Sequence, residues 1–199
     1  MDPKERREMI LDKAKKLFAE KGYHQTQISD IIREAGIARG TIYQYFKNKD
    51  DLFVRLLEKY YEKWESTVSL ERDMNLAAVD PVDYFRLRIH RTLEFFAGDP
   101  DISRIYLRMG LGLHQELEAV IKKFEERIMD MIAADLSLGI RNGHVRPDLD
   151  LALAANLLAG ALLRTAYYYF GTGREPPRDL EEASRKISAI LSPGIFNPA

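Results

Sequence analysis

The chain has no cysteine. That absence excludes disulfides and thiolate metal centres, and it is compatible with a reducing cytosol. Net charge is also nearly absent, -1 from 30 Lys and Arg against 31 Asp and Glu, so nothing global advertises a polyanionic partner. The opening MDPKERREMILDKAKKLF is charged and amphipathic rather than continuously apolar, so no signal peptide is expected and the expected location is the cytoplasm. There is no phosphate loop, dinucleotide fingerprint or Ser/His/Asp pattern to nominate a catalytic centre, and no cofactor is expected. Strand alternation, internal repeats and low-complexity tracts are missing as well. What is present is a 199-residue chain, ample for a buried core, whose apolar residues recur at helical spacing. The expected fold is all-α.

The charge that exists is unevenly placed. Residues 1–60 hold 13 of the 30 Lys and Arg but only 10 of the 31 Asp and Glu, which leaves the remainder net acidic. Within that basic portion lies the most informative stretch, Gly22 to Phe53, GYHQTQISDIIREAGIARGTIYQYFKNKDDLF. Ile28, Ile31, Ile32 and Ala35 form one apolar helical stripe, with Thr26 placed to cap it. Gly36 follows directly and suits the left-handed conformation that ends a helix. A short second helix restarts at about Ala38 to Arg39, with Ile42 and Phe46 four apart on its buried face. Asn48 then reads as the cap of a third helix, with Asp51 three residues on as a partial capping box.

Two short helices in this arrangement, from about 27 to 46, place the second in the major groove of DNA. Its outward residues suit that work. Gln44 can pair bidentately with an adenine edge, and Thr41 can touch a base or a thymine methyl. Tyr43 and Tyr45 offer hydroxyls to phosphates and rings to sugars or methyl groups. Gly40 permits close approach of the helix start to the DNA backbone. The expected phosphate contacts are Thr26, Gln27, Arg39, Tyr45, Lys47 and Lys49, with Thr41, Tyr43 and Gln44 at base edges.

The pattern Gly-Tyr-x-x-Thr, then Ile-x-x-Ala-Gly-Ile, then Gly-Thr-Ile-Tyr-x-Tyr-Phe-x-x-Lys-x-x-Leu resembles the TetR family of bacterial transcriptional regulators. The resemblance covers the first third of the chain closely. It departs at Gln27, where many relatives have Thr, at Ala38, where Ser often caps the reading helix, and at Tyr45, where His is common. It implies a helix-turn-helix domain over residues 1–48, a linking helix from about 49 to 66, and a helical effector-binding and dimerisation domain over 67–199. It further implies a homodimer on a palindromic operator, repression as the majority expectation, and a small, often hydrophobic effector that weakens DNA binding.

Beyond that stretch the helices expected are Lys4 to Lys21, Lys49 to about Trp64, Pro81 to Ala97, Ile102 to Met109, Gln115 to Ile140, Asp148 to Phe170 and Pro177 to Leu191, with Ser66 to Val79 unassigned. Leu151 to Phe170 is apolar enough to raise a membrane span. Arg164 within it costs about 2.5–3.5 kcal/mol on insertion scales, so the expectation is a helix buried nearly all round and no membrane partner. Its small residues and the apolar final helix suit pairing with a second copy. Tyr60, Trp64, Phe85, Tyr106, Met109, Phe124 and Tyr168 are the aromatic and Met residues expected to line an effector pocket, with Arg108, His114 and Arg164 as polar anchors. His90 with Glu94 and His114 with Glu118 are i,i+4 pairs, but the spacing does not match the Glu-x-x-His of helical di-metal bundles, and no metal is expected. The alternative function is a helical ligand- or metal-binding protein without DNA binding.

Overall fold

The computed structural model describes residues 2–68, 79–108 and 115–197. Helix α1 (Pro3–Lys21) starts where proline can sit without losing a hydrogen bond, and the Glu5 carboxylate accepts from the Asp2 amide at 3.2 Å. Its buried stripe of Ile10, Leu11, Ala14, Leu17 and Phe18 is the one its spacing predicts. Helix α2 (Ile28–Ala35) begins at Gln27, whose amide donates to Asp30 at 3.1 Å, and not at Thr26, which is turned inward. Gly36 ends it at φ +61°, the left-handed conformation expected there, and Ile37 donates back to the Ile32 carbonyl at 3.3 Å. The short α3 (Arg39–Ile42) follows.

Helix α4 (Lys49–Val68) is capped as the sequence suggests. The Asp51 amide donates to Asn48 Oδ1 at 2.8 Å, and the Asp51 carboxylate accepts from the Lys47 amide at 2.9 Å. It runs one turn past Trp64, into the span left unassigned, of which residues 69–78 lie outside the described residues. Asp80 caps α5 (Pro81–Gly98), and Asp99 caps α6 (Pro100–Arg108) through Ile102 at 3.3 Å. The expected pocket residues Met109 and His114 also lie outside the described residues.

The remaining helices are α7 (Gln115–Arg141), α8 (Leu151–Ala166), continued by a π turn at Tyr167–Gly171, and α9 (Leu180–Leu191). Two starts differ from expectation. Asp150, not Asp148, caps α8 through Leu153 at 3.1 Å, because Asp148 is held by the Arg146 guanidinium at 2.7 and 2.5 Å. Asp179 caps α9 through Glu182 at 2.9 Å, which starts that helix three residues after Pro177.

Helices α5 and α9 pack together, as do α7 and α8, while α4 lies against α5 and α7. Val145 and Phe196 form an isolated bridge that ties the chain end to the turn after α7. Gly139 allows this, since a Cβ there would come within 2.4 Å of Val145 Cγ2. Helix α8 corrects an expectation. It is buried on one side only, through Ala154, Ala155, Leu158 and Ala159, while Leu153 and Leu157 are 55% and 62% exposed. Ile190 on α9 is 78% exposed. Among the described residues nothing covers these three side chains.

The N-terminal helices attach to the rest in two ways. Helix α4 runs from one into the other, and α1 packs on α6. There Lys15 Nζ lies 2.7 Å from Asp99, a half-buried ion pair across the seam, and Lys59 pairs with Glu8 nearby.

Candidate nucleic-acid interface and ligand cavity

Ile42 and Phe46 anchor α3 and the turn after it in the N-terminal core, with the Arg7 guanidinium 5.6 Å from the Phe46 ring centre. That leaves Gln27, Arg39, Gly40, Tyr43, Gln44 and Lys47 exposed on one side, with Thr41 and Tyr45 half-buried among them. Tyr43 is 48% exposed, unusual for so large a ring. Among the described residues no hydrogen bond or ion pair engages the side chains of Arg39, Thr41, Tyr43, Gln44, Tyr45 or Lys47. A Cβ at Gly40 would meet open space, so no internal packing demands glycine there.

Two of the residues expected to touch phosphate are instead spent inside the bundle. Thr26 is fully buried, and its hydroxyl donates to the Gly22 carbonyl at 2.8 Å. Lys49 Nζ donates to the carbonyls of Tyr23 and Thr26, both at 2.9 Å, and sits 4.2 Å from the Tyr23 ring centre. Burial lowers the pKa of that ammonium. The Tyr23 hydroxyl in turn donates to Asp50. This network satisfies the Gly22, Tyr23 and Thr26 carbonyls of the loop before α2 and ties that loop to the start of α4.

A second feature lies among the later helices. A cavity of about 380 Å³ opens between α4, α5, α7 and α8, walled by apolar residues such as Trp64, Phe85, Ile89, Phe96, Ile132 and Leu158. Its described polar lining is Tyr84, Arg88, Thr92, Asp135, Asn142 and His144. Arg88 Nε donates to Asp135 at 2.8 Å, with the neighbouring guanidinium nitrogen 2.7 Å from the same carboxylate. The third guanidinium nitrogen donates to the Val68 carbonyl, the last of α4. The Tyr84 hydroxyl donates to Asp135 at 3.1 Å, and burial, reinforced by that carboxylate, pushes its pKa up to about 12.

The structure distributes the expected pocket residues over three places. Trp64 and Phe85 line the cavity. Tyr60, Tyr106 and Phe124 belong to an adjoining aromatic cluster, in which Phe124 stacks on Tyr61 at 3.9 Å and meets Trp64 edge-on at 5.0 Å. Arg108 and Arg164 sit with Tyr106 at a separate open groove, where Arg108 donates to the Gly171 carbonyl at 2.7 Å. Tyr168 is exposed and accepts from Arg174 at 2.7 Å. Sequence reasoning missed Arg88, Asp135 and Thr92. A signal existed: Tyr84, Arg88 and Thr92 recur at intervals of four, a polar stripe on a helix otherwise read for its aromatic rings. His90 lies 3.5 Å from both Glu94 and Glu181 and reads as a surface link between α5 and α9.

The profile of the family described as bacterial regulatory proteins, tetR family, matches residues 10–56. The chain is 31% identical over 193 residues to the fatty acid metabolism regulator protein of Bacillus subtilis, covering 94% of each. It is 32% identical over 183 residues to an HTH-type transcriptional repressor of Mycobacterium tuberculosis, covering 87% of this chain and 86% of that one. Among solved structures, the transcriptional regulator FadR from Bacillus subtilis in complex with stearoyl-CoA superposes with a TM-score of 0.76 at 29% identity, over 94% of this chain and 98% of that one.

Proposed function

Because this chain belongs to the tetR family of bacterial regulatory proteins and is a DNA-binding transcriptional regulator, we propose that it is a cytoplasmic repressor acting as a homodimer on a palindromic operator. The division of labour is a reading head of residues 1–48, a linking helix from 49 to about 66, and a body from 67 to 199. Thr41, Tyr43 and Gln44 read base edges. Gln27, Arg39, Tyr45 and Lys47 hold phosphates, and the start of α3 at Gly40 lies against the DNA backbone. Thr26 and Lys49 position these groups from within. The observation that carries the reading is the row of unpaired polar side chains on α3 and the turn after it, set beside a loop in which Lys49 satisfies the Tyr23 and Thr26 carbonyls.

The exposed apolar side chains of Leu153 and Leu157 on α8 and of Ile190 on α9 support a dimer through these two helices. The cavity supports an effector with an apolar part, as the acyl tail of the stearoyl-CoA in the Bacillus subtilis neighbour's complex is. Its binding shifts α4 and with it the separation of the two heads, which requires only unequal affinity for two spacings. The relatives are regulators, and no catalytic role is proposed.

Fluorescence anisotropy against DNA from upstream of the chain's own gene and scrambled DNA of equal length, at two salt concentrations, tests the reading. Dimeric, sequence-selective binding is expected. Equal binding to both DNAs, combined with no enriched sequence in a genomic selection for bound fragments, would favour a ligand carrier that does not regulate.

A further inference from the structure

Most of the cavity's described wall is helix, from α4, α5, α7 and α8, and parting packed helices to admit a ligand would expose many buried side chains at once. One stretch of wall is built differently. After α9 the chain makes a single turn at Ser192–Gly194, and the segment beyond it lays Ile195 and Phe196 along the cavity. The Phe196 ring meets Phe85 of α5 edge-on at 5.8 Å, so the segment reaches from the loop after α7 across to α5. Its holds on that loop are slight. The Arg146 amide donates to the Ile195 carbonyl at 3.1 Å, and the Asn197 amide donates to the His144 carbonyl at 2.9 Å. The Asn197 side chain donates to the Gly143 carbonyl at 2.8 Å. Ile195 is buried, while Pro193, Gly194 and Asn197 are exposed. Breaking these hydrogen bonds and lifting one isoleucine is a small local opening beside the separation of two helices.

We propose that the segment from Ser192 to Asn197 is a strap that gates the cavity: a ligand enters and leaves when the strap lifts from residues 143–146, pivoting at Ser192–Gly194. This rests on the reading of the cavity as the effector site. It goes further by assigning the route in and the residues that guard it. A gate that opens and recloses slows entry and exit by the same factor and leaves the equilibrium between them untouched. The strap therefore sets how quickly the regulator answers a change in effector level, and the walls of the closed cavity set how tightly the effector is held.

The lack of cysteine in the chain makes the strap lockable. Val145 and Phe196 face each other in an antiparallel bridge with the ladder bonds on either side of them, a pairing whose Cα atoms approach to about 4.5 Å, within the reach of a disulfide. In Val145→Cys/Phe196→Cys, oxidation ties the strap to the loop and reduction frees it. The single tryptophan, Trp64, lines the cavity and reports entry. Stopped-flow quenching of Trp64 by ω-bromooctanol, a neutral probe whose bromine quenches an indole on contact, is followed on the full chain during mixing and during dilution. The oxidised pair is expected to bind and release the probe at least about tenfold more slowly than the same protein reduced, with the dissociation constant unchanged. Asn197→Ala, which lies outside the cavity wall, is expected to quicken both rates by about two- to fivefold, the factor of one exposed hydrogen bond. An oxidised pair that exchanges probe as fast as its reduced form overturns the strap while leaving the cavity a ligand site. Wild-type rates in Asn197→Ala do the same where the cysteine pair does not fold. No quenching of the wild type by the probe overturns both the strap and the cavity reading.

Discussion

The two ends of the molecule leave opposite things unsatisfied. On the N-terminal bundle the surplus is polar, with Tyr43, Gln44, Arg39 and Lys47 exposed and unpaired above a network in which even the Thr26 hydroxyl and the Lys49 ammonium are spent. On the C-terminal bundle the surplus is apolar: Leu153, Leu157 and Ile190 stand open to solvent while Arg88, Asp135 and Tyr84 are paired inside. Each region advertises its partner by what it fails to complete within one chain. Unpaired donors and flat rings suit nucleic acid, and an uncovered apolar face suits a second copy.

The strongest way to break this contrast is at the apolar face. Leu157→Lys should leave the packing within one chain intact, since the side chain is exposed there, and any fall in melting temperature should come from lost dimerisation and depend on protein concentration. Sedimentation should nevertheless show a monomer, and operator affinity should fall by about 10²–10⁴ as bivalency is lost. A dimer that survives would move the interface elsewhere.

Inside the head, Lys49→Met should lower stability by about 1–3 kcal/mol, because it strips two loop carbonyls of their donor. An unchanged melt with a salt slope reduced by about one would return Lys49 to the phosphate contacts. Gln44→Ala should do the reverse, leaving the melt alone while removing about 1–3 kcal/mol of discrimination between operator and scrambled DNA. Equal weakening on both DNAs would make Gln44 a backbone contact. The smallest effect is expected from Lys15→Met, which removes a half-buried ion pair worth at most about 1 kcal/mol. Anisotropy should show operator binding nearly intact and release by effector blunted, and an unaltered release curve would free the seam of any part in signalling.

The same contrast explains what the sequence made legible. The reading helices are specified over thirty consecutive residues by local chemistry: a glycine stop at Gly36, an Asn48 cap, an apolar stripe of period 3.6. The all-helical fold and the family followed from that. Which exposed polar groups remain free did not, because Lys49 reaches back 26 residues to Tyr23 and looks identical in sequence to a surface lysine. The cavity was harder still. Its wall joins α4, α5, α7, α8 and the chain end, so aromatic richness pointed to the right bundle, while Tyr60 and Phe124 proved to fill space rather than border it. Helix α8 was read as buried all round because its exposed Leu153 and Leu157 give it the composition of a core helix.

The double attachment of the N-terminal helices has a mechanical consequence. A rigid body hung from one joint can swing in any direction, whereas one held at two points turns only about the line between them. With α4 as one bearing and the Lys15–Asp99 seam between α1 and α6 as the other, turning about the line between them is the movement that would disturb the two attachments least. In the homodimer proposed above both heads would turn through the same angle, so the distance between the two α3 helices would become a function of that one coordinate, which the half-site spacing of a palindromic operator would then measure like a caliper.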